Sequence, residues 1–448
     1  MPTQARRAAF AILLRVEAQS SYATELLHSV LTARLSAPDA ALVTELVLGT
    51  LRWQAQLDFI ARRLVQTKWE ALDLEVRTAL RLGLYQLRFL KRIPARAAVH
   101  ESVELVKSSG KRSASGLVNA VLRKGVALDL ESQHKNSLPE LEWLAVETSH
   151  PAWLMDRWTK RFGLETAKAL ACTNNQPPPT SLRVNSPNRE LEEMDARLRA
   201  EGIELGPGRF LKACRVVLKG NVARTDLFRQ GEWTVQDEAS QLVPLLLDVQ
   251  KGQQVLDLCA APGNKTAQLA QQAGPSGRVF ACDLHAHRLR YLLAMPSVLP
   301  VYRVALDGCQ PLPFRSFFDR ILVDAPCSGT GTLRRHPEIK WRLQPHDLDD
   351  LSARQLQLLA NAATALHIDG RIVYSTCSLE PEENQRVIER FLATHPDFHL
   401  LPLRQEIARL QPFFLSASTS ILDSDFLETL PDRDGTDGFF AAILTRVI

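Results

Sequence analysis

The stretch R-I-L-V-D-A-P-C-S-G-T-G-T, residues 320–332, combines a buried-strand pattern with reactive and turn-forming residues. The apolar run 321–323 is typical of a parallel strand, and it is followed by Asp324, a proline and Cys327. In open α/β sheets, ligands bind just beyond the carboxyl ends of the strands. The stretch therefore predicts an α/β sheet with a carboxyl group and a thiol at its ligand-binding edge.

A second stretch, R-I-V-Y-S-T-C-S at 371–378, ends in the same way, with Cys377 just after its apolar run. A cysteine is most often a small buried hydrophobic residue, and that interpretation stays open for both thiols. Their positions after the apolar runs, rather than within them, favour a chemical role. A catalytic interpretation of this chain depends on these two cysteines at two strand ends.

The rest of the C-terminal half predicts a Rossmann-like, doubly wound parallel sheet, because strand and helix patterns alternate from residue 253 onward. The predicted strands cover 254–258, 278–282, 301–306, 320–323 and 371–375, and the predicted helices cover 264–273, 285–294, 347–367 and 382–394. Residues 411–430 are predicted to form an irregular loop. The run 437–444 is predicted to be a last edge strand.

The N-terminal half predicts two further modules. Residues 1–128 have apolar side chains at helical spacing and few glycines or prolines, which indicates an all-α bundle. Residues 129–147 are polar and mixed and are predicted to be a linker. Residues 148–245 predict a small α+β subdomain, with helices at 152–171 and 189–201 and strands at 181–185, 215–218 and 233–236. The sheet domain then occupies 246–448.

Composition and charge limit the class of protein. The net charge of the 448 residues is only +4, but residues 1–125 hold 19 Lys and Arg against 10 Asp and Glu. A basic module of this kind predicts a polyanionic partner, most simply RNA. The seven scattered cysteines include no C-x-x-C pair, which argues against a disulfide framework and a structural zinc site. With no membrane-length apolar run and no leader pattern, we expect a cytoplasmic protein without a membrane partner.

The turn after the first predicted strand predicts a cofactor loop. Strand residues 255–259 run into A-A-P-G-N-K-T at 260–266, which matches neither the G-x-G-x-x-G of dinucleotide sites nor a P-loop. Asp283 ends the second strand, where an acid can hold ribose hydroxyls, and Asp307 follows the third, where it can contact an adenine amine. Together they favour S-adenosylmethionine, although each feature alone also fits an ordinary strand–helix turn.

Three motifs resemble the RNA cytosine-5 methyltransferases: V-L-D-L-C-A-A-P-G-N-K-T at 255–266, L-V-D-A-P-C-S-G-T-G at 322–331 and Y-S-T-C-S-L-E-P-E-E-N at 374–384. The N-terminal bundle resembles the NusB-type RNA-binding domain. This combination is similar to bacterial 16S ribosomal RNA cytosine-5 methyltransferases, and the resemblance covers essentially the whole chain.

The resemblance implies a role for each site residue. It makes Cys377 the nucleophile that attacks C6 of cytosine, Asp324 a hydrogen-bonding partner of the N3/N4 edge, and Cys327 a helper in releasing the product. Asn264 and Gln385 depart from the residues usual in the family, and we expect the activity to survive both. The residues implied to line the S-adenosylmethionine site are Cys259, Ala260, Ala261, Pro262, Gly263, Asn264, Lys265, Asp283, Asp307 and Asp324.

We therefore predict a monomeric RNA cytosine-5 methyltransferase that acts on 16S ribosomal RNA, unassembled or partly assembled. Two alternatives stay open. A DNA cytosine-5 methyltransferase would use Cys327 as its nucleophile, and the second cysteine motif counts against it. A NusB-like RNA-binding factor with an inactive methyltransferase domain would not need Asp324, Cys327 and Cys377 together.

Overall fold

The computed structural model describes residues 2–19, 21–31, 35–128, 138–185, 191–294 and 300–447. It contains two compact units, of which unit 1 comprises Met1–Pro177 and Leu333–Leu343, and unit 2 comprises Pro178–Thr332 and Gln344–Ile448. The units divide the chain at other points than the predicted domain limits, because limits inferred from composition take no account of which segments pack together. Those limits stay a prediction.

Unit 1 is built from helices that share one apolar core, as the spacing of its leucines predicts. Leu46, Leu57, Ile60 and Leu80 are fully buried in that core. The helices of eight or more residues are α1 (Gln4–Gln19), α2 (Ala23–Leu31), α3 (Ala37–Arg52), α4 (Gln54–Leu64), α5 (Leu74–Phe89), α6 (Ala95–Ser108), α7 (Ser115–Gly125), α8 (Glu140–Glu147), α9 (Ala152–Phe162) and α10 (Leu164–Asn174).

Two predictions for this unit are wrong in detail. The predicted linker 129–147 ends in helix α8, whose tryptophan and leucine are buried; residues 129–137 lie outside the described part of the chain. The single helix predicted over 152–171 is two helices, α9 and α10. Gly163 separates them because its φ of +83° is not a helical conformation.

Unit 1 also includes the segment Leu333–Leu343, which comes from the predicted catalytic region of the sequence. Its Lys340 is buried and donates hydrogen bonds to the carbonyl oxygens of Arg52 at 2.7 Å and Ser149 at 2.8 Å, and to Asn175 Oδ1 at 3.1 Å. Burial and the Arg52 charge hold the pKa of Lys340 well below its usual value. Carbonyl dipoles, rather than a carboxylate, therefore hold this amine.

Unit 2 contains a small antiparallel sheet with the strand order β2-β3-β1-β4. The strands are β1 (Thr180–Val184), β2 (Glu204–Pro207), β3 (Cys214–Lys219) and β4 (Trp233–Val235), and helix α11 is Leu191–Ala200. The sequence prediction missed β2, because four residues with a glycine and a proline show no alternation. The predicted start of the helix at residue 189 lies outside the described residues.

The large sheet of unit 2 has the strand order β10-β12-β9-β8-β5-β6-β7, with β11 paired to β12. Strands β5 to β9 run parallel, which confirms the predicted Rossmann-like fold. The strands are β5 (Gln254–Asp257), β6 (Arg278–Asp283), β7 (Val301–Ala305), β8 (Phe318–Asp324), β9 (Leu366–Thr376), β10 (Phe398–Leu401), β11 (Leu427–Thr429) and β12 (Phe439–Arg446). The strand order reverses between β5 and β8, and ligands bind at such a point.

The longer helices of unit 2 beyond α11 are α12 (Glu238–Leu246), α13 (Asn264–Ala273), α14 (Asp347–Ala365) and α15 (Gln385–Thr394). Four-residue helices lie at Asp226–Arg229, Ile339–Arg342, Ile407–Leu410 and Pro431–Asp434, the second of them in unit 1. None of the helices in the described residues is long and apolar enough to span a bilayer.

Three predictions for the large sheet are wrong. Strand β12 is an interior strand that pairs antiparallel with β9 and β10, and its residues 439–444 are buried on both faces of the sheet. The helix predicted at 285–294 is a 3-10 helix, Arg288–Ala294. The irregular loop predicted at 411–430 includes strand β11, which at three residues is too short to show an alternating pattern.

Candidate active site

The two predicted thiols meet at the ends of two neighbouring parallel strands. Asp324, the last residue of β8, is aligned with Ser375 near the end of β9. Cys327 Sγ lies 3.4 Å from Cys377 Sγ, and both residues are half-buried. The structure thus places the two cysteines where they can act on one atom of a ligand.

A buried carboxylate joins the two loops that carry these thiols, which we name the cysteine loops (residues 325–332 and 377–384). Glu383 Oε1 accepts a hydrogen bond from the backbone N–H of Ser328 at 2.8 Å. Its Oε2 accepts hydrogen bonds from the hydroxyl groups of Ser328 and Ser378. Burial raises the pKa of Glu383, and these hydrogen bonds oppose that rise. Glu383 therefore fixes the position of one cysteine loop relative to the other.

Helix α14 adds a second link between the cysteine loops. Gln355, fully buried, donates from its Nε2 to Glu383 Oε1 at 2.9 Å and to the carbonyl oxygen of Pro326 at 3.0 Å. The backbone N–H of Gly331 also donates to the carbonyl oxygen of Cys377 at 2.9 Å. Both thiols are thus carried by backbone whose polar groups are bonded to the other loop.

The environment of the Cys327 thiol disfavours its ionisation. The hydrogen bond to Cys377 and burial together hold the pKa of Cys327 well above its usual value. A buried thiol that is hard to ionise stays protonated and acts as a hydrogen-bond donor. Cys327 can therefore donate its S–H to the sulfur atom of Cys377, 3.4 Å away.

The Asp324 carboxylate is held on both of its oxygens. Lys265 Nζ donates to Oδ2 at 2.7 Å, and Ser375 Oγ donates to Oδ1 at 2.7 Å. Burial on its own would lower the pKa of Lys265, but the charge of Asp324 outweighs that effect and the pKa is raised. Lys265 is therefore a charged partner of Asp324, and its charge is already compensated within the protein.

Beneath this ion pair lies a second, fully buried carboxyl group. Asp257, at the end of β5, accepts a hydrogen bond from Thr266 Oγ1 at 2.7 Å. Burial raises the pKa of Asp257 to about 7, with the charge of Asp324 adding to the effect. Asp257 ties strand β5 to the first turn of helix α13, and so shapes the loop between them.

That loop, which we name the cofactor loop (residues 258–263), begins helix α13 with a left-handed residue. Gly263 has a φ of +114°, a conformation that favours glycine. Ala261 is followed by a cis peptide bond to Pro262. Its neighbour Ala260 donates from its backbone N–H to the carbonyl oxygen of Cys282 on the adjacent strand, at 2.7 Å. The loop is therefore bonded to the end of β6.

The predicted acids at the ends of β6 and β7 lie beyond this loop. Asp283 accepts hydrogen bonds from the backbone N–H of His285 at 2.9 Å and of Ala261 at 3.4 Å. Asp307 is exposed and accepts from the backbone N–H of Cys309 at 2.9 Å. The structure thus places all the predicted site residues at the carboxyl ends of β5, β6, β7, β8 and β9. A predicted departure from the family, Asn264, donates from Nδ2 to the carbonyl oxygen of Val235 at 3.4 Å.

The sequence analysis missed the residues that hold the cysteine loops, namely Glu383, Ser328, Ser378 and Gln355. The two acids of P-E-E-N were visible, but the sequence does not say which of them points inward. Glu382 faces outward and pairs with Arg386 at 2.9 Å, whereas Glu383 is buried. The sequence does contain one signal for this arrangement: a serine follows each of the two cysteines.

Acids and thiols lie at the carboxyl ends of the strands of a Rossmann-like sheet, around the point where the strand order reverses. This arrangement defines an α/β enzyme of the methyltransferase type. Comparison with known proteins agrees. The family model 16S rRNA methyltransferase RsmB/F matches residues 244–445. The NusB family matches residues 3–126, and a RsmF/B-like ferredoxin-like domain matches residues 150–223.

Similar proteins span the whole chain. A probable ribosomal RNA small subunit methyltransferase B of Bacillus subtilis is 36% identical over 456 residues, covering 99% of each chain. The ribosomal RNA small subunit methyltransferase B of Pseudomonas putida is 36% identical over 431 residues, covering 94% of each. The crystal structure of PH0851 matches all of both chains with a TM-score of 0.83 and 25% identity. The chain therefore belongs to the RsmB/F family of 16S rRNA methyltransferases, which confirms the predicted family.

Proposed function

We propose that this protein transfers a methyl group from S-adenosylmethionine to C5 of one cytidine in 16S ribosomal RNA, through a covalent adduct between a cysteine and C6. The observation that carries the proposal is the pair of thiols, 3.4 Å apart, beside the Asp324 carboxylate. Other base and ribose methylations do not need two cysteines at this position. Cytosine C5 methylation needs a nucleophile to form the covalent adduct and a second group to help break it down.

The charges at the strand ends suit a cationic cofactor. Asp283 and Asp307 lie there, and the charge of Lys265 is already compensated by Asp324 at 2.7 Å. S-adenosylmethionine, when bound, supplies a methyl group on a positively charged sulfur. We assign its binding to residues 259–265 of the cofactor loop and first helical turn, together with Asp283, Asp307 and Asp324.

Cys377 acts as the nucleophile in this proposal. C5 of cytosine reacts poorly until C6 has been attacked, and a thiolate is the most nucleophilic side chain near neutral pH. The raised pKa of Cys327 disfavours that thiol as the nucleophile, and the motif that carries Cys377 assigns the attack to Cys377. Asp324, oriented by Lys265 and Ser375, then hydrogen-bonds the N3/N4 edge of the base as charge develops there.

Cys327 assists the end of the reaction. The C5 proton must leave before the bond between C6 and sulfur can break. Cys327 lies within hydrogen-bonding distance of the sulfur that departs, and it holds a proton. It is therefore placed to assist the release of Cys377 from the product.

The substrate enters as RNA with its target base turned out of the stack, because C5 and C6 are otherwise inaccessible. The basic N-terminal region, with 19 Lys and Arg against 10 Asp and Glu over residues 1–125, supplies the charge that attracts the phosphate backbone. We propose that the protein acts as a monomer in the cytoplasm on 16S ribosomal RNA that is free or partly assembled.

The roles of the two cysteines give the test. Cys377→Ala removes the nucleophile, so we expect no methyl transfer and no covalent complex with RNA. Cys327→Ala keeps the nucleophile, so we expect it to methylate and then stall as a protein–RNA complex that survives denaturing electrophoresis. Methyl transfer from labelled cofactor to 16S ribosomal RNA and the gel mobility of the protein measure both outcomes.

If Cys377→Ala instead stalls as a protein–RNA complex and Cys327→Ala is inactive without one, the nucleophile is Cys327. That result would favour the geometry of DNA cytosine-5 methyltransferases. If neither variant forms a stable complex, the release role of Cys327 is wrong. Bisulfite sequencing of ribosomal RNA from a deletion strain identifies the modified cytidine independently of both variants.

A further inference from the structure

The thiols of Cys327 and Cys377 are close enough to react with each other as well as with a substrate. Their sulfur atoms are 3.4 Å apart, and a disulfide requires a distance of about 2.0 Å, so an approach of about 1.4 Å suffices. The cysteines follow β8 and β9, which are adjacent parallel strands.

We propose that Cys327 and Cys377 are a reversible oxidation site, at which a peroxide converts the two thiols into an intramolecular disulfide. The bond itself does not depend on the proposed function. The consequence for activity does rest on it, because the disulfide would consume the nucleophile and its helper together. The protein would then stop methylating RNA under oxidising conditions and resume when a thiol reductant restores both groups.

The oxidation needs only the two thiols of the protein and one peroxide. The Cys377 thiolate attacks one oxygen of the peroxide, which breaks the O–O bond, leaves Cys377 as a sulfenic acid and releases hydroxide. The Cys327 thiol then attacks that sulfur, the S–S bond forms and the S–O bond breaks. The proton of Cys327 leaves with the departing hydroxide as water. In total, two thiols and one hydrogen peroxide give one disulfide and two waters.

The surroundings favour closure of this pair. Both cysteines are half-buried, so a small peroxide can reach them. Glu383 and Gln355 hold the two loops side by side, which keeps the second thiol next to any sulfenic acid that forms on the first. Rapid capture by a neighbouring thiol prevents further oxidation to the irreversible sulfinic acid.

Two tryptic peptides, each with one of the two cysteines, report whether the disulfide has formed. Trypsin cleaves after lysine and arginine, so Cys327 lies in the peptide 321–334 and Cys377 in the peptide 372–386, each with no other cysteine. The full-length Cys172→Ala variant is the starting protein, because Cys172 is an exposed thiol that could link two molecules. This protein is treated with hydrogen peroxide, digested without reduction, and analysed by mass spectrometry.

We expect the two peptides to appear joined, with the loss of two hydrogens, and to separate on reduction. Methyl transfer should fall about tenfold or more as the joined peptide accumulates, and dithiothreitol should restore it. In Cys327→Ala the disulfide cannot form, so the peptide 372–386 should instead gain oxygen atoms. That readout is independent of the catalytic defect of the variant.

Recovery of the two peptides unjoined after peroxide treatment, with sulfinic acid on Cys377, would overturn the proposal. Loss of activity without the joined peptide would also overturn it, because another residue would then be responsible. A joined peptide in a protein that never methylates RNA when reduced would contradict the proposed function and leave the oxidation site standing.

Discussion

The cysteine loops and the cofactor loop lie at the same edge of one sheet, but they are held in different ways. The cysteine loops are bonded to each other through the buried Glu383, which accepts hydrogen bonds from both. On the cofactor side, Asp307 is exposed and bonds to the backbone of its own loop. Asp283 accepts hydrogen bonds from the backbone of His285 at 2.9 Å and of Ala261 at 3.4 Å, and it pairs with Arg288 at 3.6 Å.

This difference corresponds to two tasks. In the proposed reaction, the groups that react with the base must be held within a fraction of an ångström, because a misplacement of about 1 Å costs on the order of 100-fold in rate. A cofactor must enter and leave in every turnover, so its carboxylate partners need open oxygen atoms. Substitutions on the two sides should therefore change different measured quantities.

The largest effect is expected at Glu383. Glu383→Ala leaves the buried backbone N–H of Ser328 without its acceptor, at a cost of about 1–3 kcal/mol, and leaves the Ser328 and Ser378 hydroxyl groups, 3.0 Å apart, to bond to each other. We expect kcat to fall about 100-fold or more, because the thiols lose their relative positions. Denaturant unfolding and single-turnover methyl transfer measure the two losses.

The matched control is Glu382→Ala, the neighbouring acid, whose partner Arg386 is exposed. An ion pair with one partner exposed contributes about 0–1 kcal/mol, so this variant should lose far less stability and rate than Glu383→Ala. Glu383→Gln keeps the shape and should recover part of the rate. A Glu383→Ala variant with normal kcat would show that the cysteine loops hold their positions without it.

A smaller effect is expected from the buried Asp257, which lies between the two sides. Its pKa in the folded protein is about 7, above the value of about 3.9 for an unfolded aspartate. The folded state therefore holds a proton that the unfolded state loses, and stability should fall as pH rises from about 4 to 7. The loss between pH 5 and pH 8 should be about 3 kcal/mol.

Asp257→Asn should remove this pH dependence. Denaturant unfolding at pH 5 and pH 8 measures it, with Asp319→Asn on strand β8 as the matched control; Asp319 accepts from the Gln254 backbone N–H at 2.8 Å. An equal pH dependence in the Asp257→Asn variant and the wild type would mean that Asp257 is already ionised in the folded protein at pH 5.

The smallest effect is expected on the cofactor side. Asp283→Ala should weaken S-adenosylmethionine binding by about 1–3 kcal/mol, the cost of leaving polar partners unsatisfied. The Asp283→Ala substitution should leave the distance between the sulfur atoms of Cys327 and Cys377 unchanged. Calorimetry measures the affinity, and unchanged binding would remove Asp283 from the site.

The sequence predicted those parts of the fold that depend on local patterns. Strands β5, β6 and β8 are apolar runs that end in acids, and their carboxyl ends meet because parallel strands share one edge. Both cysteines could be placed for the same reason. A resemblance to a family then assigned roles that the pattern alone left open.

The errors arose where a residue's environment is formed by distant parts of the chain. Strand β12 was taken for an edge strand because its neighbour β10 is only four residues long. Glu383 was missed because its partners lie on the other cysteine loop, 55 residues away for Ser328. The place of the segment Leu333–Leu343 in unit 1 depends on contacts with helices almost 300 residues earlier, such as Lys340 with Arg52.

The position of β12 has a consequence for biosynthesis. Because Phe439–Arg446 fills the space between β9 and β10, the catalytic sheet lacks an interior strand until residue 446 has been made. Domains usually fold in order as they leave the ribosome. Unit 1 must instead wait for residues 333–343, and the sheet of unit 2 must wait for residues 439–446. The nascent chain therefore cannot complete unit 1 before residues 333–343, or its catalytic sheet before residues 439–446, have left the ribosome.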